Sequence, residues 1–536
     1  MSDPLAFIGT RRTSQTERIP GRTDQIENSA GGFVFGANKW QRLNRFLILG
    51  TTGGTYYISE AKLTRENADV VLECLAEDPT RTLGLIEHIS LEGRAPKQNA
   101  TIFALAVAAA DGNPATRAKA LALMPKVCRI GTHLFMFIGY VEQFRGWGRG
   151  LRTAVANWYL DKEPQQVAYQ TTKYAQRGGW SHRDVLRLAK PRPPRGSDMN
   201  GVLARAVGKT AAVSESDGYG GGVSYLLAVE QAKTEASPNT LISLIERWNL
   251  PWEVLPSYAL RDPRIWEALV PRMGLTALIR NLGRLTDIGY IKPMSAGEAE
   301  VVGRLGKATE LLKSRVHPMQ ILTAEATYRR GQGLKGSLSW TPNQAVLAAL
   351  DTAFYESFGN VEPANKRTLI GLDVSGSMSW GAMAGSPLTP REAAAALAML
   401  WMRTEPQVAT MAFSDTFMHL PISKTMSLPD VVEMTSRLPF SRTDCALPMQ
   451  WAMDNGIEVD TFVVITDNET YAGRKHPSQA LAEYRRRMQI DAKLAVVAMV
   501  SNGFTIADPS DAGMLDCVGF DTATPDVIAG FSRGDF

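Results

Sequence analysis

The spacing of apolar residues divides the chain into two parts. From Asn38 to about Leu350, apolar residues recur every three or four positions in short segments that Gly, Pro or Asn separates. This spacing is typical of amphipathic helices, which bury one apolar face. It predicts helices over Ala68 to Ala76, Pro79 to Ile89, Ala100 to Ala110, Ala115 to Met124, Thr132 to Gln143, Ser224 to Ala232, Thr240 to Trp248, Ile265 to Leu269, Leu275 to Leu282 and Glu298 to Leu312. Many short helices without strands indicate an α-solenoid of the HEAT or armadillo type, with an irregular helical bundle as the alternative.

The pattern changes after a stretch that contains Pro363. Short apolar runs now alternate with helical segments, which predicts a doubly wound parallel sheet. The strands are expected over Thr368 to Asp373, Gln407 to Phe413, Thr461 to Thr466 and Lys493 to Met499, and the helices over Pro390 to Arg403, Leu428 to Ser436, Ala446 to Asn455 and Pro477 to Met488. We therefore expect a polar, mobile tail over residues 1–28, a helical module over residues 29–362 and an α/β domain over residues 363–536.

Polar side chains follow the first strand of the α/β domain. Asp373, Ser375 and Ser377 form an Asp-x-Ser-x-Ser sequence at the carboxyl end of this strand, where open α/β sheets bind their ligands. A second strand ends just before Asp467, and a polar loop between the two strands contains Thr443. Carboxylate and hydroxyl oxygens suit Mg²⁺, Ca²⁺ or Mn²⁺ better than zinc. The alternative is that each residue forms a strand-end turn or caps a helix.

This order of residues resembles the metal-ion-dependent adhesion site of a von Willebrand factor A domain. In that family the two serines and the threonine tend to contact the metal, and the aspartates act directly or through water. The resemblance implies that Asp373, Ser375, Ser377, Thr443 and Asp467 hold one divalent cation. Mg²⁺ is the first expectation, with Ca²⁺ and Mn²⁺ as alternatives.

Composition and charge narrow the possible partners. No apolar run reaches the length of a membrane span, the first 22 residues lack an apolar signal-peptide core, and the four cysteines have no C-x-x-C spacing. We therefore expect a cytoplasmic protein with no membrane partner. The net charge is +4, but residues 363–536 hold 14 Lys and Arg against 20 Asp and Glu, which leaves −6 there and +10 in the preceding residues. Positive charge in the helical module suggests a polyanionic partner.

The most basic stretch lies in the middle of the helical module. Between residues 172 and 195, Lys and Arg alternate with Tyr174 and Trp180. Ser181 and Asp184 have the spacing of a capping box, which predicts a helix from His182 to just before Pro191. Arg183, Arg187 and Lys190 are expected on one face of this helix, where they would bind phosphates. Lys173 and Arg177 are expected to line up in the same way on the preceding helix. A basic face beside Trp and His suits RNA phosphates and stacked bases, whereas the alternative is a solvated charged helix.

A second basic cluster surrounds Trp147. It contains Arg145, Arg149 and Arg152. The cluster strengthens the RNA interpretation of the helical module, although Trp147 is as consistent with a core position as with a surface on which bases stack.

Longer motifs in both parts of the chain are similar to those of the Ro ribonucleoprotein family, whose members carry a TROVE module and whose bacterial relatives are called Ro-sixty-related proteins. The motifs are Asn44 to Ile58, Lys173-Tyr174, Gly179 to His182, Leu275 to Gly283, His317-Pro318, Asp467 to Thr470 and Ser501 to Pro509. The resemblance implies a ring of HEAT-like repeats closed by a von Willebrand factor A domain. It also implies RNA-binding roles for Lys173, Arg177, His182, Arg183 and Arg187, and further for Arg145, Arg149, Arg152 and Lys190.

The resemblance leads to one functional hypothesis and two alternatives. The first is a non-catalytic protein of RNA quality control and stress response. It would bind Y RNAs and the single-stranded 3′ ends of misfolded RNAs, and no DNA. The resemblance also implies an exoribonuclease, polynucleotide phosphorylase, as a partner. The second makes the A domain a metal-dependent protein-docking module that scaffolds a complex. The third, a metal-dependent nuclease, is disfavoured because the site offers one ion rather than a pair.

Overall fold

The structure is a computed structural model. It describes residues 12–50, 68–95, 97–209, 220–333, 337–358, 361–379, 388–439, 441–500, 503–518 and 523–535. Parts of two of the sequence motifs, residues 51–58 and 501–502, lie outside these ranges. None of the described helices combines the length and the apolarity needed to cross a membrane.

Short helices fill the first two thirds of the chain, as predicted. Within the described residues they are α1 Lys39–Leu49, α2 Asp69–Glu77, α3 Pro79–Leu91, α4 Asn99–Asp111, α5 Pro114–Val127, α6 Gly131–Phe144, α7 Arg149–Leu160, α8 Pro164–Lys173, α9 His182–Ala189, α10 Asp198–Ala206, α11 Gly221–Thr234, α12 Pro238–Trp248, α13 Pro263–Leu269, α14 Leu275–Asp287, α15 Ala296–Leu305, α16 Ala308–Ser314, α17 Pro318–Arg330 and α18 Gln344–Glu356. Helix α4 is buried along its length from Ala100 to Ala110, because it is apolar on every side.

Two features of this region differ from the prediction. The single helix expected over residues 298–312 is two helices, because Gly306 and Lys307 separate α15 from α16 and glycine is unfavourable inside a helix. The region also contains strands. Strands β1 (Gln25–Glu27) and β2 (Phe33–Gly36) precede α1, and β3 (Gln176–Arg177) and β4 (Trp180–Ser181) form a hairpin between α8 and α9.

The last third of the chain forms the predicted doubly wound sheet. Its strands are β5 Thr368–Asp373, β6 Val408–Phe413, β7 Phe417–His419, β8 Thr461–Thr466, β9 Lys493–Ala498 and β11 Met514–Val518, and its helices are α19 Pro390–Thr404, α20 Leu428–Ser436, α21 Leu447–Asp454, α22 Pro477–Met488 and α23 Thr524–Arg533. The order in the sheet is β11-β9-β8-β5-β6-β7, and only β7 pairs antiparallel. Strands β5 and β8 are adjacent and buried along their length, so their carboxyl ends lie side by side.

The prediction of a mobile tail over residues 1–28 is wrong for residues 12–28. Residues 12–36, which we call the N-terminal segment, pack on the α/β domain. Gln15 and Gln25 are buried, and β2 pairs with both β1 and β10 (Phe504–Thr505), a strand of the α/β domain. Polarity suggested disorder, but buried polar side chains of this segment form hydrogen bonds to distant residues, such as that of Gln15 to Asp444 and that of Asn28 to Thr470.

Both ends of the helical module contact the α/β domain. In α1 the guanidinium of Arg45 donates to both carboxylate oxygens of Asp516 on β11, at 2.8 and 2.9 Å, and to the carbonyl of Phe504 at 2.9 Å. Arg45 and Asp516 are both shielded from solvent, and a buried ion pair is strongly destabilising to break. A cavity of about 360 Å³ is lined jointly by the ends of α3, α16 and α18 and the start of α23. Helices from the early part (α3) and the end (α16 and α18) of the module therefore lie together beside the α/β domain, which agrees with the closure that the resemblance implies.

Candidate metal centre and nucleic-acid interface

The metal site predicted from the sequence forms at the carboxyl ends of β5 and β8. Asp373 is the last residue of β5, and its side chain is fully buried. One of its carboxylate oxygens accepts a hydrogen bond from the Ser375 backbone at 2.8 Å, and the other accepts one from the Thr466 hydroxyl at 2.6 Å. The hydroxyls of Ser375 and Ser377 lie 3.1 Å apart. The sequence prediction did not include Thr466, which orients the Asp373 carboxylate.

Asp467 follows β8 and therefore lies next to Asp373. Burial raises the pKa of Asp373 to about 7, and the negative charge of Asp467 contributes to this rise. Burial also raises the pKa of Asp467, while a hydrogen bond to Ser377 lowers it in part. Two neighbouring buried carboxylates repel each other when both are ionised, and a cation between them would relieve that repulsion.

Thr443 is joined to the site through the backbone. Its side chain is buried, and its carbonyl accepts hydrogen bonds at 3.0 Å from the backbone amides of Tyr471 and Ala472. These amides belong to the loop that begins at Asp467. The structure therefore brings Asp373, Ser375, Ser377 and Asp467 together through side-chain contacts. It bonds the Thr443 backbone to the loop that begins at Asp467.

The donor set fits a hard divalent cation. It consists of two carboxylates and three hydroxyls, all oxygen ligands of the kind that Mg²⁺, Ca²⁺ and Mn²⁺ prefer. Among the residues that the structure describes, no group of three or more His, Cys, Asp and Glu could hold a metal. The predicted site has only two acidic residues, and hydroxyl groups make up the rest of its donors.

The predicted basic helix is α9, and its capping box is present as expected. The Ser181 hydroxyl accepts from the Asp184 amide at 3.3 Å, and the Asp184 carboxylate accepts from the Ser181 amide at 3.1 Å. Arg183 and Arg187 are exposed on α9. Lys190 caps the end of the helix in a left-handed conformation with φ of 49° and is also exposed.

The two cations predicted on the preceding helix lie in different settings. Helix α8 ends at Lys173, and Arg177 belongs to the β3–β4 hairpin, so the prediction that they share a helix is wrong. Arg177 is exposed. The Lys173 ammonium instead donates to the Tyr169 hydroxyl at 2.8 Å, lies 3.8 Å from a Glu253 carboxylate oxygen, and has a side chain only 16% exposed. Lys173 is therefore less available to a ligand than the sequence suggested.

His182 is buried, which contradicts its prediction as an RNA contact. Its ring packs edge-on against Phe135, and its Nδ1 lies 2.7 Å from the Tyr159 hydroxyl. Only 3% of the residue is exposed, so its ring cannot stack on a base. Because His182 is the first residue of α9, its buried ring anchors the start of this basic helix.

We expect the burial of His182 to make the stability of the protein sensitive to acid. Burial lowers the pKa of His182 to about 4, below the value of ~6.5 in an unfolded chain. Between these pH values the unfolded state binds more protons, so stability present above about pH 6.5 is lost as the pH falls toward 4. Between about pH 7.5 and pH 5, we expect the free energy of unfolding to fall by about 2 kcal/mol less in His182→Gln than in wild type. Denaturant unfolding at the two pH values measures this difference.

The exposed His419 supplies the control. His419→Gln should leave the wild-type pH dependence unchanged. A second buried histidine, His133, has its pKa lowered to about 4 by burial, so part of the acid sensitivity should persist in His182→Gln. Equal pH dependence of wild type and His182→Gln would contradict the assignment.

The second basic cluster and α9 form one cleft. It has a volume of about 410 Å³ and lies between the start of α7 and the end of α9. Its lining combines one indole, four cations and smaller side chains: Trp147, Arg149, Arg152, Thr153, Ala156, Asn157, Ala189, Lys190, Pro191 and Arg192. Arg149, Arg152 and Lys190 were predicted RNA contacts, whereas Arg192 was not. Arg145 is exposed just before Trp147.

The cations of the cleft have no salt-bridge partner among the described residues. In the part of the chain that the structure describes, Arg149, Arg152, Lys190 and Arg192 are exposed and form no salt bridge. Trp147 donates to Glu142 at 3.0 Å and lies 6.0 Å from Trp180 between ring centroids. The cleft therefore combines unpaired positive charge with a partly exposed aromatic ring, which is the combination that binds single-stranded nucleic acid.

Comparison with known proteins finds similar proteins for both parts of the chain. A family model described as the TROVE domain matches residues 26–247 and 245–327, and one described as the Ro60 vWA domain matches residues 367–532. The chain is 39% identical to the RNA-binding protein RO60 of Deinococcus radiodurans, over 100% of both chains. It is 35% identical to the RNA-binding protein RO60 of Caenorhabditis elegans, over 97% of this chain and 92% of that protein. The crystal structure of the Deinococcus radiodurans RO (RSR) protein superposes with a TM-score of 0.73 at 38% identity, covering 93% of this chain and 100% of that one.

Proposed function

Because this chain belongs to the Ro family of TROVE-domain proteins, we propose that it binds RNA without cleaving it. The proposed ligands are small structured Y RNAs and the single-stranded 3′ ends of misfolded RNAs, and the proposed role is RNA quality control in the cytoplasm. Relatives named as RNA-binding proteins support the class of ligand. DNA and membranes are not expected as partners.

The basic cleft between α7 and α9 is the observation that carries this proposal. Its unpaired Arg and Lys side chains would bind phosphates, and such contacts release condensed counterions whatever the base sequence. Trp147 would stack on an unpaired base, which is also tolerant of sequence. A protein that recognises defective RNAs requires this tolerance. The exposed Arg183 and Arg187 on the same helix extend the basic surface beyond the cleft.

Binding of an RNA hairpin with a single-stranded 3′ tail, titrated across salt, tests the proposal. We expect the logarithm of the affinity to fall with the logarithm of the salt concentration by about 0.7 for each phosphate contact on a single strand. A DNA duplex of the same length should compete poorly. Affinity that is absent, or that does not change with salt, would contradict the proposal.

Trp147 provides a test of base stacking. We expect Trp147→Leu to weaken binding of the tailed RNA by about 5- to 150-fold, which corresponds to the ~1–3 kcal/mol that stacking contributes per base. Trp147→Phe should retain most of the affinity. Both variants lose the hydrogen bond to Glu142, so the comparison isolates the aromatic ring. Equal affinity of the Leu and Phe variants would show that no base stacks here.

We propose a second function for the α/β domain, because its site has the donors for one divalent cation. Ser375, Ser377 and Thr443 would supply hydroxyl ligands, and Asp373 and Asp467 would supply carboxylates directly or through water. A bound cation would accept a carboxylate of a partner protein as a further ligand. We propose Mg²⁺ as the ion and a protein partner as the docked molecule. The exoribonuclease polynucleotide phosphorylase is proposed as a separate partner, tethered by a bound Y RNA. RNA binding by the helical module and docking by the α/β domain can coexist.

A further inference from the structure

The N-terminal segment is bonded to the two loops that carry metal ligands. These are residues 441–446, which we call the Thr443 loop, and residues 467–475, which we call the Asp467 loop. The segment is remote from both in the sequence: Gln15 and Asp444, which contact each other, are 429 residues apart. The contacts converge on one side chain, that of Gln15, which is fully buried.

Gln15 makes hydrogen bonds to both loops at once. Its side-chain amide donates to the carboxylate of Asp444 at 2.7 Å and to the carbonyl of Lys475 at 2.8 Å. Its side-chain carbonyl accepts from the Thr470 hydroxyl at 2.6 Å and from the Gly473 amide at 3.1 Å. Asp444 follows Thr443 in one loop, and the other three partners belong to the Asp467 loop. All four hydrogen-bonding positions of the amide group are therefore used to hold the loops together.

Further contacts around Gln15 hold the two loops against each other and against the N-terminal segment. The Thr470 hydroxyl that donates to Gln15 also accepts from the Cys445 amide at 3.1 Å. This bond adds to the direct link between the two loops that the Thr443 carbonyl makes. Asn28 of the N-terminal segment donates to the Thr470 carbonyl at 2.9 Å. At Gly32 an added Cβ would lie 1.9 Å from the same carbonyl, and at Gly473 it would lie 2.3 Å from the Gln15 amide nitrogen. The close approach of Gly32 to the Thr470 backbone requires glycine, and Gly473 leaves room for the Gln15 side chain.

We infer that Gln15 is a positioning residue for the metal site, acting through the Thr443 and Asp467 loops without touching the ion. The inference rests on the proposed metal site. Groups that orient the ligands of a metal commonly change its affinity by 10- to 100-fold when they are removed. The N-terminal segment, whose first part was predicted as a mobile tail, is thereby bonded to both loops that carry metal ligands. The N-terminal segment also connects the site to the helical module, because β2 leads directly into α1.

Binding of Mn²⁺ alone to the full-length protein, followed by electron paramagnetic resonance and calorimetry, tests this inference. We expect Gln15→Leu to weaken Mn²⁺ binding by about tenfold or more. Gln25→Leu is the matched control, because Gln25 is equally buried in the same segment but its side-chain oxygen accepts from Ile19 within that segment. Gln25→Leu should change the Mn²⁺ affinity by less than about twofold, although it also removes a buried hydrogen bond.

The outcomes separate the inference from the metal site itself. If wild type binds Mn²⁺ and Gln15→Leu binds it equally well, the positioning role is wrong and the metal site stands. Equal weakening by Gln15→Leu and Gln25→Leu would also overturn the role, since it would reflect stability alone. If wild type binds no more Mn²⁺ than Asp373→Asn, the metal site is wrong and the inference falls with it. Should Gln15→Leu not fold, Thr470→Val removes the hydroxyl that joins Gln15 to Cys445 and carries the same test.

Discussion

The simultaneous change of Arg149, Arg152 and Lys190 to alanine is expected to weaken binding of a tailed RNA by about 50-fold at about 0.15 M salt. The three side chains line one cleft and form no salt bridge within the described residues, so a ligand phosphate would be their partner. Each lost phosphate contact should also make the slope of the logarithm of affinity against the logarithm of salt concentration shallower by about 0.7. Filter binding or fluorescence anisotropy across a salt series measures both effects.

A matched variant separates this local effect from the change in net charge. Lys292, Lys307 and Lys313 are exposed and lie on or beside α15 and α16, in the later part of the helical module. Their simultaneous change to alanine removes the same charge and should alter affinity and slope only slightly. If the two triple variants lose affinity alike, the RNA is bound by the general positive charge of the module rather than by the cleft.

Replacement of Asp373 by asparagine is expected to abolish stabilisation of the protein by Mg²⁺ while leaving RNA affinity unchanged. A ligand at a hundred times its dissociation constant stabilises a folded protein by about 2.7 kcal/mol, and the variant should lose this gain. In the absence of metal the variant should be at least as stable as wild type, because one of two buried carboxylates that repel each other is removed. Thermal unfolding with and without Mg²⁺, together with RNA binding, measures these effects.

Asp454→Asn is the control for this experiment. Asp454 ends α21 and its side chain is 67% exposed, so the variant should respond to Mg²⁺ as wild type does. An unchanged response of Asp373→Asn to Mg²⁺ would exclude the metal site. Loss of RNA binding in a folded Asp373→Asn variant would contradict the separation of RNA binding and docking between the two parts of the chain.

Local patterns were sufficient to predict most helices and strands. Strand β5 ends at Asp373 and β8 ends one residue before Asp467, as predicted. A buried parallel strand is a continuous apolar run, and the first polar residue after it marks its end. The same reasoning placed α9 between Ser181 and Lys190, since the capping box and Pro191 are both local signals. The convergence of the metal ligands then follows from the pairing of β5 with β8.

The individual roles of the basic residues could not be predicted in this way. Arg183 and Arg187 are exposed as expected, but His182 is buried and Lys173 is half-buried against Tyr169. A helical sequence specifies which residues share a face, but the neighbouring elements decide which face is covered. Arg192 lines the cleft only because the chain beyond α9 returns past the start of α7.

The sequence by itself determined the two kinds of domain, the ends of the strands at the metal site and the presence of a basic helix, because periodicity, capping residues and apolar runs are local properties. Only the tertiary structure decided that the polar N-terminal segment is folded and that Gln15 joins the two metal-site loops. Polar residues favour solvent unless every hydrogen bond is replaced on burial. The partners of Gln15 lie more than four hundred residues away, where no local pattern can reveal them.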